Sequence, residues 1–240
     1  MTIMPRRAFT LVEIAVVMGI LVLLLGLVLT VGSAVMNQSR RQETRDTLQL
    51  LDLAVQEWRS RSGRRLTWWD VRDEDTLDPA RFDVRGSTPE VLILSEVLEV
   101  IMRDPAVADI IARIDADRLY VFRAGTYPEW LGDPDDRAVM DARFDGSLTV
   151  LDAWDMPIYA THPGRPWRPD LDGDSFRDPD GTIRTYNELN YGIPTNRRMC
   201  FVSAGPDRRF GEVDRPADDP VYADTQDNLF SYPPRLKVEW

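Results

Sequence analysis

The chain has 240 residues and a formal net charge of −11 at pH 7, with one cysteine and one histidine. The lone Cys200 excludes an intramolecular disulfide, and its apolar neighbours predict a buried thiol. Residues 1–65 carry 9 basic and 5 acidic side chains, whereas residues 66–240 carry 20 basic and 35 acidic ones. The acidic larger part argues against nucleic acid as a partner.

An apolar run begins after Arg6 and Arg7 and reaches Val35, with Glu13 as its one ionisable residue. About 20 such residues cross a bilayer as a helix, so the run predicts a membrane span. A carboxylate in hydrocarbon costs roughly 2.5–3.5 kcal/mol, so Glu13 needs a cation at the same depth. Cleavage between Ala8 and Phe9 would create an α-amino group that could meet Glu13 of a neighbouring copy.

A short basic leader is followed by the segment Ala8-Phe9-Thr10-Leu11-Val12-Glu13-Ile14. This segment resembles the prepilin-type motif of type IV pilins and type II secretion pseudopilins. The resemblance implies cleavage between Ala8 and Phe9 by a prepilin peptidase, N-methylation of Phe9 and a role for Glu13 in assembly. Ala8 departs from the glycine that is usual in the family. A secretory or twin-arginine signal and a plain membrane anchor are the competing interpretations.

The helix is expected to continue past the apolar run as an amphipathic segment, because Leu48, Leu51, Val55 and Trp58 recur at helical spacing. Gly63 is the expected stop. We therefore divide the amino-terminal part into a leader, residues 1–8, and one long helix, residues 9–65. Residues 9–35 of that helix would lie in the membrane or in the core of a filament.

Residues 66–147 are predicted to form variable loops with a helical insertion at about 86–115. Thr88-Pro89-Glu90 is typical of a helix start, and the helix is expected to reach Met102. Asp104-Pro105 then predicts a second helix to Ile114. The Val221–Pro234 tail shows no periodicity, whereas four other segments are predicted strands: Leu119–Phe122, Ser147–Leu151, Pro157–Ala160 and Met199–Ser203.

Residues 148–240 are predicted to hold a carboxy-terminal sheet and acidic loops, and two of their segments resemble the major pseudopilin of type II secretion. These are Asp152-Ala153-Trp154-Asp155-Met156-Pro157-Ile158-Tyr159, and Phe201–Asp207 followed by Gly211 and the acids of 223–228. Ala153, Asp155 and Arg208 depart from the family's usual Pro, Gly and Gly. The resemblance implies a pilin-like α+β fold, in which the long helix packs on a small antiparallel sheet.

Calcium is the cofactor that the acidic loops suggest, because it prefers six to eight oxygen ligands. Asp170, Asp172, Asp174 and Asp178 partly follow a calcium-loop pattern, but the glycine comes early and the closing glutamate is absent. A solvated acidic loop is the competing interpretation. The family resemblance implies a second calcium site, which by position involves Asp207, Asp224 and Asp227.

No catalytic motif stands out, and His162 at a strand end predicts an exposed structural histidine, so we expect no enzyme. The expected function is a structural subunit of a type II secretion pseudopilus or a related type IV filament. Its partners would be copies of itself, other pseudopilins, prepilin peptidase and an inner-membrane assembly platform. It would cross the inner (cytoplasmic) membrane once and carry its carboxy-terminal domain outside the cytoplasm.

The alternative is a membrane-anchored extracytoplasmic protein that binds calcium or a partner and does not polymerise. The sequence leaves open whether the filament serves secretion, adhesion or DNA uptake, and whether this subunit is major or minor.

Overall fold

The computed structural model describes residues 11–66, 90–128, 130–131, 145–166, 181–184, 186–211 and 218–235. The chain divides into two compact units, Met1–Arg40 and Arg41–Trp240. The predicted α+β class is confirmed: a long apolar amino-terminal helix is followed by short helices and small antiparallel sheets.

Helix α1 spans Leu11–Ser62 and ends at Gly63, whose φ is +69° and whose N–H donates to the Arg59 carbonyl at 3.1 Å. Glycine adopts this left-handed conformation without the steric penalty of a Cβ atom, so the predicted stop is confirmed. The amphipathic prediction is also confirmed, because Leu48 and Leu51 are fully buried in the second unit.

Helix α2 spans Glu90–Ile101 and ends one residue before the predicted boundary at Met102. Residues 88 and 89, which precede α2 and form the first two residues of the predicted start signal, lie outside the described part of the chain. The buried side chains Leu94, Val97 and Leu98 recur at helical spacing, and α2 packs on strands β2 and β3, whose bounds are given below.

Helix α3 spans Pro105–Ile111, and the Asp104 carboxylate caps it by accepting the Ala106 N–H at 2.9 Å. The predicted extension to Ile114 is wrong. The N–H of Ile114 donates to the carbonyl three residues earlier, so the chain tightens after Ile111 and leaves the α-helix. A 3₁₀ turn at Ala116–Arg118 follows.

Seven short strands form three separate antiparallel sheets in the described residues, where one small sheet was expected. Two of the sheets have two strands each, β1 paired with β2 and β4 paired with β5. The third sheet has three strands in the order β3-β6-β7. Their bounds are β1 Leu119–Val121, β2 Leu148–Val150, β3 Tyr159–Thr161, β4 Arg165–Pro166, β5 Thr182–Ile183, β6 Cys200–Ser203 and β7 Leu229–Phe230.

Strand β3 begins two residues later than predicted, and β7 lies in the tail for which the sequence predicted no strand. A bridge between Leu151 and Pro157 joins the end of β2 to the residues before β3. Two more short helices lie within the described residues, α4 at Tyr186–Tyr191 and α5 at Pro220–Ala223, with a 3₁₀ turn at Thr195–Arg197.

One principal core fills the second unit. It combines side chains from the second half of α1, from α2 and α3, and from the strands, with Leu48, Leu51, Leu98, Ile158 and Phe201 at its centre. A smaller aromatic cluster surrounds Phe122 and Leu131. The second half of α1 is therefore a structural part of the folded domain.

Candidate functional site

The first half of α1 presents its aliphatic side chains to the outside. Leu11, Leu23 and Leu27 are 84%, 75% and 63% exposed. The most apolar window of 18 residues has a mean hydropathy of 3.1, and none of it is buried. By length and composition this helix could cross a membrane, a test that signal sequences near the amino terminus also pass.

Glu13 lies in the first turn of the described helix, within this apolar segment. The proposed cleavage site, Ala8 and Phe9, lies outside the described residues. So do Asp170, Asp172, Asp174 and Asp178, the first candidate calcium loop.

The second acidic set falls within the described residues, and the fold brings it together from two segments. The backbone N–H of Asp207 donates to Asp227 Oδ2 at 3.2 Å, and Arg209 Nη1 lies 3.6 Å from Asp224 Oδ2. Desolvation raises the pKa of Asp207, and repulsion from the Asp227 and Asp224 carboxylates raises it further. The three acids named from the sequence are thus electrostatic neighbours.

Two glycines, Gly205 and Gly211, allow the segment around Asp207 to lie close to the segment that holds Asp224 and Asp227. Gly205 has φ +74°, and a Cβ there would collide with the backbone carbonyl of Asp227. Gly211 has φ +63°, and a Cβ there would lie 2.5 Å from the Val221 carbonyl oxygen. Any side chain at either position would push the acidic segments apart.

The donor chemistry of this group suits calcium, since carboxylate and amide oxygens are its preferred ligands. The amide oxygen of Asn228 is buried and has no hydrogen-bond donor among the described residues. However, no three Asp, Glu, His or Cys side chains within the described ranges are placed to hold a metal ion. The acidic loop therefore has suitable atoms but is not arranged as a coordination cage in this structure.

The turn after β2 is built around Asp152, a carboxylate that is 0% exposed. Its Oδ1 accepts the N–H groups of Trp154 at 2.8 Å and Met156 at 3.0 Å, and its Oδ2 accepts the Ser203 hydroxyl at 2.6 Å. Ser203 Oγ in turn accepts the Gly205 N–H at 3.1 Å. Burial raises the pKa of Asp152, and these hydrogen bonds oppose the shift.

The same turn holds the second half of α1. Arg118 Nε donates to Glu43 Oε1 at 2.6 Å, and its Nη1 donates to the Asp152 carbonyl at 3.1 Å. Thr44 Oγ1 accepts the Ala153 N–H at 3.1 Å. The turn at Asp152 is therefore connected to α1 through Arg118 and Thr44, and to strand β6, which leads into the acidic loop, through Ser203.

A second polar contact holds α1 from the carboxy-terminal side. Arg198 Nη2 donates to both carboxylate oxygens of Asp52 at 2.6 Å, and the Tyr232 hydroxyl donates to the Arg198 carbonyl at 2.7 Å. The guanidinium also lies 4.9 Å from the centre of the Tyr232 ring. This cluster ties the segment after β7 to the helix.

Cys200 is buried as predicted, and desolvation raises its pKa to about 11, so the thiol stays protonated at neutral pH. The expectation of an exposed His162 is wrong. The histidine is only 5% exposed, and its Nδ1 lies 2.6 Å from the Pro163 carbonyl oxygen. It is an interior polar side chain at the end of β3, where the neighbouring Thr161 is buried as well.

Comparison with protein-family models, with curated proteins and with solved structures finds no match for this chain. Sequence reasoning named the Asp207 group but missed the roles of Asp152, Ser203 and Arg118. For Asp152 a local signal existed, since an aspartate two residues before a backbone N–H commonly accepts it in a turn. For Arg118 no local signal existed, since Glu43 is 75 residues away.

Proposed function

We propose that this protein is a structural subunit of a type II secretion pseudopilus or a related type IV pilus-like filament, with a pilin-like fold. The observation that carries the proposal is the exposed apolar half of α1, with Glu13 as its one ionisable residue. Exposed aliphatic surface of this extent is unfavourable in water, so lipid or other copies of the helix must cover it.

The segment would serve two environments in turn. As a single-pass helix it would hold the subunit in the inner (cytoplasmic) membrane, with the folded unit outside the cytoplasm. Transfer into a filament would then bury the same side chains among neighbouring helices, worth roughly 25 cal/mol for each Å² of apolar surface removed from water.

Glu13 would set the register of the filament. After removal of residues 1–8 by prepilin peptidase, the methylated amine of Phe9 is a cation close in sequence to this carboxylate. A carboxylate buried in an apolar filament is penalised unless it is paired. The amine of one copy meeting Glu13 of the next would satisfy both charges only in the correct stagger.

The proposal is tested by the amino terminus and the assembly state of the protein from its natural host. We expect sequencing or mass spectrometry to find a chain that begins at methylated Phe9. Glu13→Ala is expected to abolish filament incorporation, whereas Glu99→Ala, which removes a carboxylate that is 68% exposed in α2, should leave it unchanged. A retained Met1, or normal assembly of the Glu13 variant, would contradict the proposal.

The acidic loop favours a second candidate, a membrane-anchored protein that binds calcium or a partner and does not polymerise. Its support is the mutual repulsion of Asp207, Asp224 and Asp227, which a bound cation would relieve. Melting of the full chain with and without a chelator tests the calcium part. An unchanged midpoint in excess calcium would reject the metal site, and retained Met1 in a monomer would favour the anchor.

A further inference from the structure

Three arginines follow the apolar segment on α1: Arg40, Arg41 and Arg45, which we name the arginine collar. Arg40 and Arg45 are exposed, and Arg41 is half-buried. None of the three makes an ion pair within the described residues, whereas Arg61 on the same helix binds Asp104 at 2.6 Å. The collar is therefore a concentration of positive charge without a carboxylate in the described fold.

The neighbouring residues on the helix explain why the collar has no carboxylate partner on α1. Side chains on a helix meet those three and four positions away, and for Arg41 and Arg45 these positions hold no acid. Arg41 and Arg45 are themselves one turn apart, so their like charges repel. The two acids nearest to the collar on α1 have other partners: Glu43 binds Arg118, and Asp46 accepts a hydrogen bond from Gln42.

The position of the arginine collar along the helix indicates which anion could bind it, the phosphate of the lipid headgroups. At about 1.5 Å per residue, Arg40 to Arg45 lie roughly 8–15 Å along the helix beyond Val35, the end of the apolar run. The polar headgroup layer adds about 5–8 Å on each side of the hydrocarbon core. Helical side chains also tilt toward the amino terminus, which turns these long arginines back toward the apolar segment.

We infer that the arginine collar binds the phosphate groups of anionic phospholipids in the leaflet at the carboxy-terminal end of the apolar segment. This inference rests on the membrane span included in the proposed function. Guanidinium groups bind phosphate oxygens through paired hydrogen bonds and suit this ligand better than a point charge does. The acidic part of a second copy is the competing anion, but lipid phosphate adjoins the end of any membrane-spanning apolar run.

The test measures lipid preference in the full chain. The protein is purified in a non-ionic detergent whose micelles contain equal amounts of phosphatidylglycerol and phosphatidylcholine, and native mass spectrometry counts the lipids that remain bound. The wild type is expected to retain phosphatidylglycerol in excess. The triple variant R40Q/R41Q/R45Q should lose that excess, with roughly a fivefold effect for each arginine that contacts phosphate.

A matched triple variant, R59Q/R113Q/R123Q, removes the same charge from three exposed arginines that have no ion pair among the described residues. It should keep the wild-type preference. Equal retention of both lipids by the wild type, or equal loss in both variants, would overturn the inference. Loss of self-association in the collar variant, without a lipid preference in the wild type, would assign the collar to a second copy instead.

The outcome is separable from that of the filament proposal. A chain with uncleaved Met1 that never polymerises can still show the lipid preference, because the preference requires only the membrane span. A cleaved, polymerising chain without the preference would refute the collar alone.

Discussion

Replacing Asp152 by alanine should strongly destabilise the folded unit. The carboxylate is fully buried and accepts three hydrogen bonds, from two backbone N–H groups and the Ser203 hydroxyl. Alanine leaves all three donors without their acceptor. Since Ser203 also accepts the Gly205 N–H, the loss extends to the start of the acidic loop.

The magnitude follows from these contacts. A hydrogen bond to a charged acceptor contributes about 1.5–3 kcal/mol, but removing a buried charge recovers part of its desolvation cost. At a net value of about 1–1.5 kcal/mol for each of the three bonds, Asp152→Ala should lower the free energy of unfolding by roughly 3–4.5 kcal/mol. Asp152→Asn keeps one oxygen for the two backbone donors and should cost about 1–2 kcal/mol.

Urea unfolding of the full chain in non-ionic detergent, followed by tryptophan fluorescence, measures these differences, since Trp154 is buried within the turn. Asp155→Asn is the matched control. Asp155 has φ +63°, which asparagine tolerates, and its side chain is 71% exposed, so only a surface ion pair worth about 0–1 kcal/mol is lost. If Asp152→Ala costs no more than this control, Asp152 does not organise the turn.

Three further predictions use the same unfolding measurement. Leu51→Ala should cost about 2–5 kcal/mol because Leu51 is fully buried, whereas Leu53→Ala, 44% exposed, should change little; equal losses would contradict the assigned core. Gly205→Ala should cost more than Gly63→Ala, since both have positive φ but only the Cβ at Gly205 meets another backbone; a smaller loss at Gly205 would refute the close approach. In the folded state the pKa of Asp152 is raised above 3.8. The free energy of unfolding of the wild type, relative to Asp152→Asn, should therefore fall as the pH rises from 3.8 through the folded pKa and then level off. A relative stability that rises with pH in this range would show that the pKa is shifted in the opposite direction.

The parts of the fold that could be predicted are those specified by neighbouring residues. Gly63 ends α1 because the left-handed residue after a helix is a local requirement, and Asp104-Pro105 starts α3 for a similar reason. The spacing of Leu48 and Leu51 identified the buried face of α1 before any partner was known.

The parts that failed depend on residues far apart in the chain. Strand β7 has only two residues, and it pairs with β6, some 27 positions earlier, so no periodicity in the tail could reveal it. Arg198 and Asp52 are 146 positions apart, and an exposed surface arginine would look the same in the sequence. The burial of His162 is also a tertiary effect.

The acidic site is an intermediate case. Resemblance selected Asp207, Asp224 and Asp227 by position, and the fold brings them close enough for the latter two to raise the pKa of the first. Composition could not show that Gly205 and Gly211 make this approach sterically possible. Nor could it show that Asp224 lies beside Arg209, which partly neutralises the group.

The distribution of ion pairs on α1 is compatible with the double role proposed for this helix, in the folded unit and in a second environment. Two acids in its second half, Glu43 and Asp52, bind arginines of the following domain, Arg118 and Arg198. These contacts consume negative charge of the helix and leave the arginine collar in excess. In the proposed membrane-bound state, an excess of positive charge soon after the apolar run suits a helix that leaves hydrocarbon among phosphates, because each arginine there gains an anion that the described residues of the domain do not supply. Glu43 and Asp52 thus hold the second half of α1 against the following residues, and under the proposal the arginine collar remains available for lipid phosphate.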